Sequence, residues 1–294
     1  MKDARLKNVI SIDDKEAALD ASAIKQAAAQ FIADYAKEKD KAIKPAAPPQ
    51  EQLSFFPTQL CRTSIFFPLP RQGRKALQAD PLKLEFQTKW GTIKYYGMRL
   101  SVQDEDLLLI CLYLAKKNKS KEFLTTFTEL QKLLSIIPNQ KYNQRFRDAF
   151  ERLSVASFIT YYKKGDLLEG INILNFKMHK RKLLITFDED FHQEFLRSNT
   201  IMSLPFRMRL NGDIAKLLFT FLSSHQTPTS YHTNTLASYL NMNTDQERKY
   251  LVKELKKGFT ELQSKGFLVN FKYDPKRDIF SLKPIERKKW KKLK

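Results

Sequence analysis

Apolar positions recur at helical spacing in two separate stretches of the chain, and in each a short helical run precedes a longer one and a strand-like pair follows. In the first stretch, Ser101-Val102-Gln103-Asp104 is a capping pattern that opens a helix through Lys117. Residues 128–135 predict a short helix. Beyond Pro138-Asn139 a second helix covers 141–155, with Phe146, Ala149, Phe150 and Leu153 at i, i+3, i+4 and i+7. Strand-like residues 158–162, a turn at Lys163-Lys164-Gly165-Asp166, and the runs 171–179 and 182–187 predict a hairpin or three-stranded meander. In the second stretch, Asn211-Gly212-Asp213 opens a helix over 214–224, 233–240 predicts a short helix, and 245–264 a longer one closed by Lys265-Gly266. The runs 267–273 and 279–282 then flank a turn at 274–278. Strand regions at 65–69 and 93–100 come before the first set. Helix, short helix, long helix and hairpin is the order of a winged helix-turn-helix. The predicted fold class is therefore α+β, with two tandem winged helix-turn-helix domains, 60–200 and 201–294, behind a helical or flexible N-terminal arm at 1–59.

In that arm, residues 14–43 are rich in good helix formers. Ile24, Ala28, Phe31 and Tyr35 form a narrow stripe that either docks on a partner or lies on the body. Pro45-Ala46-Ala47-Pro48-Pro49 ends the helix and reads as a linker. The chain of 294 residues carries 52 Lys+Arg against 32 Asp+Glu, a net +20. Residues 1–50 are nearly balanced, with 9 basic and 8 acidic side chains, so the remaining 244 hold +19. A polyanion is the expected partner, because each neutralised phosphate releases condensed counterions. Nucleic acid leads over an anionic membrane, since the basic residues are spread along the chain and not gathered on one amphipathic helix. The longest apolar run, Leu107 to Ala115, is too short to cross a bilayer. Two cysteines, Cys61 and Cys111, and no secretory leader point to a reducing, cytoplasmic setting.

The second helix of a helix-turn-helix enters the major groove, so it should be apolar inward and basic or amide-bearing outward. On the helix over 245–264, Lys249, Lys253, Lys256 and Lys257 fall on one side, and Leu251, Leu255, Phe259 and Leu262 on the other. On the helix over 141–155, Lys141, Gln144, Arg145, Asp148 and Arg152 share a face of mixed charge. Basic hairpins follow both: Lys180 and Arg181 with Lys177, His179 and Lys182, then Lys272, Lys276 and Arg277. These residues, with Thr233 and Asn234 at the start of the preceding short helix, are the candidate DNA contacts. The tail Arg287-Lys288-Lys289-Trp290-Lys291-Lys292-Leu293-Lys294 is either a phosphate clamp or a solubilising extension.

Catalytic signals are weak. Gly165 and Gly170 have phosphate-loop spacing, but Ile171-Asn172 stand where Lys-Ser/Thr is required. His179, His192, His225 and His232 and the two cysteines show no metal spacing, and Asp188-Glu189-Asp190 reads as a helix cap. Trp90, the cysteines and His225 read as packing or polar-core residues. No catalytic residue, metal or cofactor is expected.

Ala215-Lys216-Leu217-Leu218-Phe219-Thr220-Phe221-Leu222-Ser223-Ser224-His225, then Leu236-Ala237-Ser238-Tyr239-Leu240, Lys253-Glu254-Leu255 and Leu262-Gln263-Ser264-Lys265-Gly266-Phe267-Leu268, resemble the C-terminal winged helix of TrfA-type plasmid replication initiators. Arg62-Thr63-Ser64-Ile65-Phe66 resembles the Arg-Ser-Ala-Leu-Phe strand opening their first winged helix, and the resemblance covers 60–284. It implies binding to direct repeats (iterons) in an origin, opening of an adjacent AT-rich stretch, and recruitment of the host initiator and of the replicative helicase or its loader. Single-stranded DNA of the opened region is a further candidate partner. Such initiators bind iterons as monomers, while their homodimers tend to be inactive. Gln52-Leu53-Ser54-Phe55-Phe56 is similar to the Gln-Leu-Ser/Asp-Leu-Phe peptide by which bacterial proteins dock on the polymerase sliding clamp, with Phe55 where TrfA-type initiators have Leu. The alternative is that Leu53, Phe55 and Phe56 tuck the linker onto the first domain. A winged-helix transcriptional regulator and a DNA-processing enzyme are the competing functional classes.

Overall fold

A computed structural model describes residues 53–62, 65–68, 82–87, 91–162, 168–197, 199–225 and 230–284. The helix expected over 14–43, the proline linker, Gln52, Trp90, Gly165 and the basic tail lie outside them. In chain order the elements are β1 (Leu53–Pro57), α1 (Thr58–Arg62), β2 (Phe66–Phe67), β3 (Leu82–Gln87), β4 (Gly91–Gly97), β5 (Leu100–Ser101), α2 (Val102–Asn118), β6 (Glu122–Thr126), α3 (Phe127–Leu133) and α4 (Lys141–Ser154). They continue with β7 (Ser157–Tyr162), β8 (Leu168–Asn172), β9 (Leu174–His179), β10 (Lys182–Phe187), α5 (Glu189–Arg197), β11 (Asn199–Ser203), α6 (Leu204–Met208), α7 (Asp213–Ser223), β12 (Ser230–His232), α8 (Thr233–Tyr239), α9 (Arg248–Ser264), β13 (Leu268–Asp274) and β14 (Ile279–Pro284). The described residues outside the hairpin tip 178–181 belong to one compact body.

Local chemistry explains the main boundaries. α2 begins where the sequence predicts, at a capping box in which the Ser101 amide donates to the Asp104 carboxylate at 2.7 Å and the Asp104 amide donates to Ser101 Oγ at 3.2 Å. α9 ends at Lys265, and Gly266 then takes φ +83°, the left-handed region glycine enters without a Cβ penalty. Its amide and that of Phe267 donate to the carbonyls of Gln263 and Leu262. At the start of α5, Asp188 Oδ1 accepts from the amides of Asp190 and Phe191, so the acidic triplet is a cap, as expected.

The two halves share one plan. α2, β6, α3, α4, β9 and β10 are answered by α7, β12, α8, α9, β13 and β14. The sheets agree as well, since β6-β10-β9 has the same strand order as β12-β14-β13. The first half departs from the predicted meander. β7 and β8 leave the hairpin and join β3 and β4 in a four-stranded sheet, β3-β4-β7-β8, whereas β9 and β10 pair with β6. Ile173, fully buried, is the break between β8 and β9 where the chain changes sheet. A single cluster of buried side chains runs through both halves. It includes the Phe206, Phe219 and Phe267 rings, 5.0 to 5.8 Å apart, and the pair Phe259 and Phe280 at 5.1 Å. None of the described helices is long and apolar enough to cross a membrane.

Candidate nucleic-acid interface

α9 turns its buried side, Leu251, Val252, Leu255, Gly258, Phe259 and Leu262, into the second half. Gly258 allows the close approach: a Cβ would stand 2.9 Å from both Ile214 Cγ2 and Leu218 Cδ1 of α7, so those side chains would have to shift. Glu261 ties the same two helices, accepting from the amides of Asn211 at 2.5 Å and Gly212 at 3.1 Å. Its back held this way, α9 presents Lys249, Lys253, Lys256 and Lys257 to solvent, as the helical wheel predicts. With Asn211 and Lys265 these lysines line an open groove of about 850 Å³. Lys249 reaches Glu247 Oε2 at 2.7 Å and Lys257 reaches Glu254 Oε1 at 2.5 Å, both in the open, where such pairs are weak and exchange readily for phosphate. Lys256 lies 5.0 Å from the centre of the Tyr273 ring on β13.

Beyond the packing of Phe259 on Phe280, the hairpin of the second half is tied to the start of this helix by a residue that sequence reading passed over. Asp278, at φ +55°, accepts from Thr233 Oγ1 at 2.7 Å, Arg248 Nε at 2.9 Å and the Tyr273 hydroxyl at 2.9 Å. It thereby pins the starts of α8 and α9 to the turn. One expected DNA contact is absorbed by this junction, since Thr233 is fully buried, whereas Asn234 stays exposed and accepts a hydrogen bond from Arg248. The signal was an Asp in a Pro-Lys-Arg-Asp turn, where a short acceptor side chain stabilises a left-handed residue. Asp274 completes the turn by accepting from the amides of Lys276 and Arg277, whose side chains stay exposed, as does that of Lys272.

In the first half α4 buries Phe146, Ala149, Phe150 and Leu153 and exposes Lys141, Gln144 and Arg145. Gln144 is held at both ends, donating to Asp148 at 2.7 Å and accepting from Arg147 at 3.5 Å. Arg152 departs from the expected outer face. Its guanidinium makes two hydrogen bonds to Asp104 of α2, at 3.0 and 2.7 Å, and its side chain is 11% exposed, so it fastens α4 to the core. Lys180, at φ +54°, and Arg181 form the two-residue turn between β9 and β10, both exposed.

Leu53 to Phe56 are placed differently from a free peptide. Leu53 to Pro57 are paired residue for residue with Ser203 to Asn199 as the antiparallel partners of β11. Ser54 and Phe56 are fully buried, and Ser54 Oγ donates to the Leu109 carbonyl at 2.8 Å. Elsewhere, His225 packs against Phe221 and bonds its carbonyl through Nδ1 at 2.8 Å, and Cys61 and Cys111 are buried. Burial pushes the Cys111 thiol well above its ordinary value. Among the described residues no group of His, Cys, Asp and Glu is arranged to hold a metal ion.

Two crystal structures have this fold at low identity. Domains 2 and 3 of RctB, solved as the selenomethionine derivative, superpose with a TM-score of 0.58 at 11% identity, covering 79% of this chain and 99% of that one. A second structure of the same two domains gives 0.56 at 10% identity, covering 80% and 99%. No protein of curated function matches the sequence. Over residues 92–223, from β4 to the end of α7, the chain matches the family described as Initiator Replication protein, WH1.

Proposed function

We propose that the chain is a plasmid replication initiator built on two tandem winged helices, which binds direct repeats at an origin, promotes opening of the adjacent AT-rich region and recruits host replication proteins. The observation that carries this is the repeated plan in which each half ends in an exposed, partly basic helix followed by a basic hairpin, in a chain whose first half matches an initiator domain. α9 lies in the major groove with Lys249, Lys253, Lys256 and Lys257 on phosphate, α4 offers Lys141, Gln144 and Arg145, and the turns Lys180-Arg181 and Lys276-Arg277 reach the flanking backbone. In this reading the protein hydrolyses nothing itself. Footprinting of the purified chain on the DNA beside its gene tests it. Protected direct repeats about two helical turns apart are expected, whereas a single protected palindrome would make the chain a regulator.

Sliding-clamp docking through Gln52-Leu53-Ser54-Phe55-Phe56 is part of the same proposal, and it requires β1 to leave β11. Leu53→Ala, at a half-buried position, should weaken clamp capture while sparing binding to the repeats, whereas Phe56 is fully buried and its truncation would unsettle the fold as well. A lowered melting temperature with unchanged clamp affinity would assign the strand to the core alone. A DNA-binding fragment should start before residue 53, because a start at residue 60 removes β1 and with it the buried Phe56.

A further inference from the structure

Three consecutive acids near the start of α2 are buried, and they face different parts of the molecule. Asp104 holds Arg152 of α4. Glu105 and Asp106 point the other way, across to the second half. Arg207 of α6, fully buried, donates from Nη2 to Glu105 Oε2 at 2.9 Å and from Nε to Asp106 Oδ1 at 2.6 Å. Its Nη1 donates to the Lys216 carbonyl at 3.0 Å and to the Thr220 hydroxyl of α7, which itself donates to Glu105 Oε1 at 2.7 Å. Lys216 closes the set with Nζ 2.5 Å from Asp106 Oδ2. Every polar end in this cluster has a partner, so it is satisfied in one arrangement of α2 against α6 and α7 and in no neighbouring one. From α7 the connection continues through Gly258 and Glu261 into α9.

We infer that Asp104-Glu105-Asp106 and Arg207 fix the separation and rotational phase of the two DNA-reading helices, and so set which spacing between the two contacted segments of a repeat the protein accepts. The inference rests on the two-reader proposal above. It follows from the continuity of the connection, α4 to α2 through Asp104 and Arg152, α2 to α7 through Arg207, and α7 to α9 through close packing. An apolar contact would tolerate sliding, whereas five charged or hydroxyl groups bonded in fixed directions do not. Arg207 is a positioning residue, which touches no DNA.

The test uses the full chain and a duplex site selected by it from random-sequence DNA, with one to five base pairs inserted between its two footprinted segments. Each inserted pair turns one segment about 35° and moves it about 3.4 Å relative to the other. Wild type should lose about 100-fold or more in affinity on insertion. The triple variant Glu105→Gln, Asp106→Asn, Arg207→Met removes the three most deeply buried charges together; Lys216 loses its carboxylate, but its side chain is 15% exposed and its ammonium can turn to water. It should bind the native spacing about tenfold more weakly and should accept every spacer within about threefold, with both segments still protected. A cooperatively folded triple variant that keeps the steep spacing profile would overturn the inference, and so would a flat wild-type profile. Neither result would touch the DNA-binding proposal, which falls, taking this inference with it, only if the wild type selects no site. Should the triple variant fail to fold, Lys216→Ala removes only the outermost pair and should ease the insertion penalty about tenfold. An unchanged profile there counts equally against the inference.

Discussion

α4 and α9 occupy equivalent places in the two halves, yet their outer faces are chemically different. α9 shows a row of lysines, Lys249, Lys253, Lys256 and Lys257, preceded by a polar, exposed turn over 243–247. α4 shows Lys141, Gln144 and Arg145 beside Asp148, and the turn before it is braced: Gln131, almost wholly buried, donates to Asn143 Oδ1 at 2.9 Å and accepts from the Asn139 amide at 2.6 Å. A lysine is a compact charge on a flexible stem and suits the phosphate backbone, which carries no sequence. An amide and a guanidinium on a fixed platform suit base edges, where donors and acceptors must be placed in register. Duplication of a backbone plan has therefore not duplicated its chemistry. The first half is the better candidate for discrimination between sequences and the second for affinity.

That contrast can be broken at several points. The largest effect should come from Arg152→Ala, which strands the buried Asp104 and frees α4 from α2; about 3–5 kcal/mol of stability should be lost in urea unfolding of the full chain. A loss below about 1 kcal/mol would mean that Asp104 regains water and that the anchor is weak. Next, Lys253→Ala with Lys257→Ala should lower the slope of log affinity against log salt by about two units while circular dichroism stays the same. If affinity at moderate salt does not change, α9 is outside the interface. Gln144→Ala should do the reverse, leaving the salt slope alone and relaxing preference at one base pair by about 1–3 kcal/mol, read from competition among single-base variants of the site. Equal loss on all variants would make α4 a phosphate contact like α9.

The features that could be read from sequence are those carried by neighbours along the chain. The Ser101-Asp104 capping box, the buried stripe Phe146, Ala149, Phe150 and Leu153, the lysine face of α9 and the glycine closure at 266 all depend on spacings of eight residues or fewer, and the structure has them. What sequence could not show depends on partners far away. Arg152 looks like an exposed base until Asp104, 48 positions earlier, is found beside it. Arg207 binds carboxylates 101 and 102 positions away. β1 was hidden because its pairing partner is supplied by β11 and a run such as Leu-Ser-Phe-Phe-Pro has no periodicity of its own, whereas β3, Leu-Lys-Leu-Glu-Phe-Gln, alternates apolar and polar residues and was legible as a strand. The sheet change at Ile173 was hidden for the same reason, since an apolar strand reads alike in either sheet.

The smallest effect concerns the two acids that face the second half, and it separates them from Asp104, which faces the first. Burial raises the Glu105 carboxyl above its ordinary value, with Asp106 beside it adding to the rise, and Arg207 and the Thr220 hydroxyl only partly opposing it. Burial pulls the Arg207 guanidinium down, but Glu105 and Asp106 more than offset this and hold it above its ordinary value, so it stays charged throughout. Between the ordinary carboxylate range and the raised value, the folded chain therefore holds a proton on Glu105 that the unfolded chain has released. The stability this contributes is complete below the ordinary carboxylate range and is lost as pH rises through the folded value. Glu105→Gln cannot titrate. Urea unfolding of both proteins from pH 5 to pH 8 should thus show the wild type losing ground to the variant as pH rises. A difference that is constant across the range, or that moves in favour of the wild type, would mean that Glu105 is charged at no net cost and that Arg207 compensates it fully. The second half would then be fastened to α2 as firmly at high pH as at low, as the Asp104 and Arg152 pair fastens α4.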